Sequence, residues 1–173
     1  MVSGKSIDDA GRQLAHQLTI LSQLKLNLLY FSGQLDGGDL DGNFALEGYD
    51  PSFDDLVVYS ADASFAGVDF ETAKDQAERL VQGAQVGTSK RRALVTANAM
   101  QGVLGRMFLG FIRSIAPLNF EIECFDNLGT AIAWLASGRT AFEQIDRSMV
   151  LRALAELEQP IGRQGNSSSS AGR

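Results

Sequence analysis

A chain of 173 residues with a hydrophobic share of 45% is long enough for one packed domain and too apolar for global disorder. Its net charge of −6 disfavours non-specific contact with nucleic acid or anionic lipid, and its single cysteine, Cys124, excludes an internal disulfide and thiolate-built metal centres. No run approaches the ~18–20 apolar residues of a membrane span. Asp8 and Asp9 stand where a secretory signal needs an apolar core, so a cytoplasmic protein is expected.

Residues 1–17 read as a leader, either unstructured or a short helix capped around Ser6-Ile7-Asp8-Asp9. Two apolar runs follow, Leu18–Leu21 and Leu24–Phe31. In the second, Leu24, Leu26, Leu28 and Tyr30 alternate with Lys25, Asn27, Leu29 and Phe31, the period of a strand, which predicts a hairpin around Ser22-Gln23. The glycines at 33, 37, 38, 42 and 48 mark a loop with at most one short helix near Leu40–Leu46. Asp50-Pro51 signals a turn, and Leu56-Val57-Val58-Tyr59, bounded by acidic turn residues, suits a buried central strand.

Asp69 is placed to cap a helix from about Phe70 to Val81, with Ala73, Ala77, Leu80 and Val81 on one face and Gly83 and Gly87 at its end. Arg91-Arg92 lead into a second buried strand, Ala93–Ala97. Ala99–Ile115 is helical by pattern, since Val103, Leu104, Met107, Phe108, Phe111 and Ile112 recur at spacings of three and four before Pro117. Asn119–Phe125 alternates as a strand with one wetter face. Asn127 then caps a helix Leu128–Leu135, ended by Gly138. Thr140–Leu157 is a further amphipathic helix, with Phe142, Ile145, Met149, Val150, Leu154 and Leu157 near one face, closed by Pro160 and Gly162. The Ser/Gly-rich tail, 161–173, is expected to be disordered.

Strands alternating with helices after a hairpin predict an α/β fold. The expected architecture is a four- or five-stranded, mostly parallel sheet with an antiparallel edge, in a domain spanning 18–138. Leu56–Tyr59 and Arg92–Ala97 are central in it, and a helical extension over 139–160 follows.

Four stretches resemble the STAS/SpoIIAA-like family, small single-domain relatives of the anti-sigma-factor antagonists. They are Leu28-Leu29-Tyr30-Phe31-Ser32-Gly33-Gln34-Leu35-Asp36; Asp50-Pro51-Ser52-Phe53-Asp54; Arg92-Ala93-Leu94-Val95 with Gly102…Gly105-Arg106-Met107-Phe108; and Phe125-Asp126-Asn127-Leu128…Ala131-Ile132-Ala133-Trp134-Leu135. The resemblance implies helices packed mainly on one face of the sheet and a regulatory role exercised on a protein partner. In the founding members a serine after the third strand is phosphorylated. Here Gly67-Val68 stand at that position, so phosphorylation, where it occurs, is expected at Ser60, Ser64 or in the serine tail.

No constellation for catalysis, cofactor or metal emerges. His16 is the single histidine, with no nucleophile or orienting group beside it. Cys124 lies among apolar strand residues and reads as a structural thiol. Asp36, Asp39, Asp41 and Asn43 suggest a calcium loop, but the sixth position counted from Asp39 is Phe44 where an EF-hand requires glycine. Gly102-Val103-Leu104-Gly105-Arg106 lacks the Lys-Ser/Thr of a phosphate loop, and its glycines read as letting a helix approach the sheet. Lys90-Arg91-Arg92 reads as a solvated edge, and Trp134 as core packing or the lining of a cleft.

These readings point to a non-enzymatic regulatory or protein-interaction module. The alternative is a small amphiphile- or lipid-binding domain with a pocket between sheet and helices. Met107, Phe108, Phe111 and Trp134 are the expected ligand or partner face. The apolar face of the last helix is expected to pack on the domain or to pair with a second copy.

Overall fold

The computed structural model describes residues 3–4, 16–36, 48–84, 90–115, 120–137, 139 and 145–158. The strands are β1 (Ser3–Gly4), β2 (His16–Leu21), β3 (Leu26–Phe31), β4 (Asp54–Tyr59), β5 (Arg91–Val95) and β6 (Glu121–Phe125). They stand in one sheet in their sequence order. β2 and β3 form the expected antiparallel hairpin, whereas β3, β4, β5 and β6 are parallel. The fold is therefore α/β, with five full strands, mostly parallel, and an antiparallel edge. The hairpin turn is a short 3-10 segment, Ser22–Leu24, after which Lys25 takes the left-handed conformation at φ 46°.

The helices are α1 (Phe70–Ala84), α2 (Ala99–Ile115), α3 (Leu128–Ser137) and α4 (Arg147–Leu157). They divide two and two over the sheet, where the family resemblance implies a predominantly one-sided arrangement. Strand alternation explains the division. The inner parallel strands carry apolar side chains toward both faces, so each face has to be covered to leave water. Leu26, Leu28, Leu56, Ala93 and Val95 point to one face. There they pack under Ala131, Ile132 and Leu135 of α3 and Val150, Ala153 and Leu154 of α4. Leu29, Phe31, Val57 and Leu94 point to the other face, under Ala77 of α1 and Leu109 and Ile112 of α2.

The leader, read as unstructured or helical, contributes β1, in which Ser3 and Gly4 pair with Thr19 and Leu18. The following strand begins at His16, two residues before the expected domain start. α4 starts at Arg147 rather than at Thr140. The Asp146 carboxylate accepts from the Ser148 backbone N–H at 2.8 Å and so fixes the helix start there. Its apolar face packs within the chain, against β2 and β3. The readings made for Ser6–Asp9, Leu40–Leu46, Gly87, Pro117, Gly138, Thr140–Gln144 and 161–173 lie outside the described residues.

Candidate functional site: a crevice over the parallel strands

A crevice of about 480 Å³ lies between the parallel strands and the helices α1 and α2. Val57, Leu94 and Ile122, from three neighbouring strands, form its floor. Ala73 of α1 and Leu104, Met107, Phe108 and Phe111 of α2 form its sides. The sequence leaves this space open for two reasons. A Cβ at Gly105 would come within 3.0 Å of Cys124 Sγ, so the glycine seats α2 tightly over β6. α1 meanwhile lines the crevice with Ala73, Lys74 and Gln76, of which Ala73 is too short to reach the strands.

Polar groups are spaced along the crevice. Tyr59, Thr96 and Gln101 stand near the ends of the strands, Asp69 and Lys74 at the rim, and Arg92 where the strands begin. Burial pushes the Tyr59 hydroxyl up to about 12, so it remains a neutral donor at ordinary pH. Gln101 ties the loop after β4 to the first turn of α2. Its Nε2 donates to the carbonyls of Ser60 and Ala63, both at 2.9 Å, and its Oε1 accepts from the Ala97 backbone N–H at 2.8 Å. Asp69 caps α1 by accepting from the Thr72 N–H at 2.8 Å.

Beneath the crevice three inward positions at one level of the sheet are polar. Asn27 pairs in register with Asp55, and Asp55 with Arg92. Asp55 is fully buried and collects donors from all sides. Asn27 Nδ2 reaches one carboxylate oxygen at 2.9 Å. Arg92 Nε at 2.8 Å, Arg92 Nη2 at 2.5 Å, Lys90 Nζ at 3.0 Å and the Tyr49 hydroxyl at 3.0 Å reach the other. Burial alone would raise the Asp55 carboxyl. The charges of Arg92 and Lys90, with the hydrogen bonds, outweigh it and hold the group below the usual carboxylate range. Burial pushes the Lys90 ammonium below its ordinary value, an effect that Asp55 opposes. Among the described residues the Asp55 carboxylate thus meets two cations, Arg92 and Lys90.

No family model, curated protein or solved structure matches this chain.

Three of the four residues expected to form a ligand or partner face, Met107, Phe108 and Phe111, do line the crevice. Trp134 does not. It packs on the opposite face, 5.5 Å from the Phe125 ring centroid and under the Arg91 guanidinium at 5.0 Å. Ser60 and Ser64 flank the loop tied down by Gln101. Ser64 is exposed, and the Ser60 hydroxyl donates to Asp62. His16 is buried in β2 against the Phe31 ring, at 5.9 Å between centroids. The Cys124 thiol is raised by burial, consistent with a structural role. Asp39, Asp41 and Asn43 lie outside the described residues.

The polar cluster is what sequence reading missed. Lys90-Arg91-Arg92 was expected at a solvated edge and Asp54-Asp55 in a turn, yet Asp55 and Arg92 are core residues. Strand alternation sends their neighbours to the other face. There Arg91 pairs with Glu121 at 2.8 Å and Asp54 with Arg139 at 2.6 Å. The available signal was an acid pair immediately before one apolar strand and a base pair immediately before the next. In parallel strands that start level, such pairs face one another.

Proposed function

We propose that this protein is a non-enzymatic binding module that holds a small amphiphile between its sheet and the helices α1 and α2. The observation carrying this reading is the crevice of about 480 Å³, apolar over most of its floor and sides with a few polar groups along it. Pockets of roughly 300–1,000 Å³ with that balance are the usual form of small-ligand sites. Among the described residues no helix is long and apolar enough to cross a membrane, and no group of acids, histidine and cysteine is arranged to hold a metal ion. A cytoplasmic setting and affiliation with the STAS/SpoIIAA-like domains belong to the same proposal. The succession of strands and helices supports the affiliation, and the two-sided packing departs from it.

The test is titration with the neutral fluorescent probe N-phenyl-1-naphthylamine, followed by displacement with dodecanol. The expected result is saturable binding, abolished by Ala73→Phe, which fills the crevice. A folded wild-type protein that gives no saturable signal would overturn the reading.

A protein partner is the second reading. It is favoured by a stripe on α2, Met100, Val103, Leu104 and Met107, in which Met100 and Met107 are 69% and 66% exposed. Native mass spectrometry of protein purified from its own source separates the two. A bound mass of a few hundred daltons supports the first reading, and a bound polypeptide lost in Met100→Ser/Met107→Ser supports the second.

A further inference from the structure

We infer that the ligand of this crevice carries a carbonyl or hydroxyl oxygen on its apolar chain, and that the Tyr59 hydroxyl donates a hydrogen bond to it; the inference rests on the amphiphile-binding reading above. Tyr59 is the last residue of β4 and lines the crevice beside Val57 of the floor. Its ring is held between Phe31 and Phe65, at 5.2 and 5.1 Å between centroids. Those contacts fix the ring, and with it the line along which the hydroxyl projects. The Arg92 guanidinium on β5 and the Cys124 thiol on β6 both act on that hydroxyl. It therefore reaches across the floor toward the neighbouring strands rather than out into solvent. Among the described residues it makes no hydrogen bond. A hydroxyl over an apolar floor costs free energy until water or a ligand satisfies it.

The other polar groups at this end of the strands have spent their hydrogens within the protein. Gln101 Nε2 donates to the Ser60 and Ala63 carbonyls, both at 2.9 Å. Thr96 Oγ1 donates to the Phe125 carbonyl at 3.2 Å. Both side chains close the ends of the strands, and the Tyr59 hydroxyl is the donor they leave over the apolar space. Burial raises that hydroxyl to about 12, so it keeps its proton at ordinary pH and offers an O–H rather than a phenolate. The complement of an O–H donor is an acceptor oxygen. An ammonium, which carries hydrogens and no lone pair, does not fit it, and a bare hydrocarbon leaves it unsatisfied. A ligand whose oxygen sits at Tyr59 can lay the rest of its chain on Val57, Leu94 and Ile122. Because the ring is already fixed, little ordering is required of the protein when the bond forms.

The experiment measures displacement of N-phenyl-1-naphthylamine by octan-2-one, octan-2-ol and 2-methyloct-1-ene, in wild type and in Tyr59→Phe. The alkene has the shape of the ketone with a methylene group in place of its oxygen. Tyr59→Phe should weaken octan-2-one and octan-2-ol about fivefold, the scale of one neutral hydrogen bond, and leave the alkene unchanged. Its melting temperature should equal or exceed that of the wild type, because the hydroxyl it lacks makes no bond within the free protein. Infrared spectroscopy of octan-2-one bound to the wild type gives a second reading that needs no variant. Its carbonyl stretch should lie below the value for the ketone in hexane. A stretch at the hexane value overturns the contact. An equal change for ketone and alkene in Tyr59→Phe overturns the role given to Tyr59 and leaves the amphiphile reading standing. A lower melting temperature for Tyr59→Phe would show the hydroxyl bonded within the protein and would overturn that role as well. Failure of the probe and of every compound to bind folded wild type removes both readings.

Discussion

On one face of the sheet Leu26, Leu28 and Leu56 lie fully buried under α3 and α4, with Leu135 and Val150 closing over them. On the other face the neighbouring positions of the same strands, extended to β5, are Asn27, Asp55 and Arg92, and the helices above leave a crevice. The backbone is shared, so the difference lies entirely in the side chains. Large apolar groups from both layers interdigitate on the first face. On the second, Leu29, Phe31 and Val57 also pack under Ala77, Leu109 and Ile112, but beside them a charged row and a closely seated glycine border a space that the chain does not fill. Both faces contribute stability through buried apolar groups, and the second also leaves a place to bind.

The largest expected effect tests whether the charged row is a buried unit. Asp55→Ala leaves Arg92 and Lys90 facing each other without their anion and should cost about 3–5 kcal/mol, read by urea denaturation. A loss below ~1 kcal/mol would mean that water already reaches the cluster and that the two faces do not differ in this way.

Next comes the sealed face. Leu135 is fully buried, and Leu135→Ala should cost about 3 kcal/mol through lost burial and the cavity left behind. Leu104→Ala, beside the crevice, should cost less than ~1 kcal/mol by the same measurement, because Leu104 is already 39% exposed. Similar losses at both positions would erase the distinction.

A smaller effect appears in acid. The folded Asp55 carboxyl lies below the ordinary value, so its contribution is complete above the unfolded value near pH ~4 and is lost as pH falls through the folded one. Thermal melts between pH 7 and pH 2 should show the wild type losing stability over that acid range. Asp55→Asn should start lower and fall less steeply. Parallel curves for the two proteins would assign acid sensitivity to other carboxyl groups.

How much of this comparison could be read in the sequence depends on which residues carried it. The α/β order was legible because Leu56–Tyr59 and Ala93–Val95 are continuous apolar runs, and α2 because Val103 through Ile112 repeats at helical spacing. Met107, Phe108 and Phe111 were grouped for the same reason, since a helix face has a period, and they line the crevice. Trp134 was grouped with them although it lies on the far side of the sheet, because periodicity shows that a helix has an apolar face and not which layer receives it. Asp55 was passed over and Arg92 read as part of a solvated edge because a charged residue beside a strand is usually solvated, and only the register of two parallel strands brings them together.

The smallest expected effect sharpens the comparison at the surface. Met107 borders the crevice yet is 66% exposed, so little of its side chain leaves water on folding. Met107→Ser should therefore change stability by less than ~0.5 kcal/mol, in keeping with a surface substitution. It also removes part of the apolar rim, so displacement of the fluorescent probe should show weaker dodecanol binding in a protein whose melting curve is unaltered. Stability and binding would then separate at a single residue, as they do between the two faces. A clear loss of stability instead would mean that Met107 packs in solution as the residues under α3 and α4 do. The crevice would then be closed in the free protein and open only when a ligand displaces that side chain.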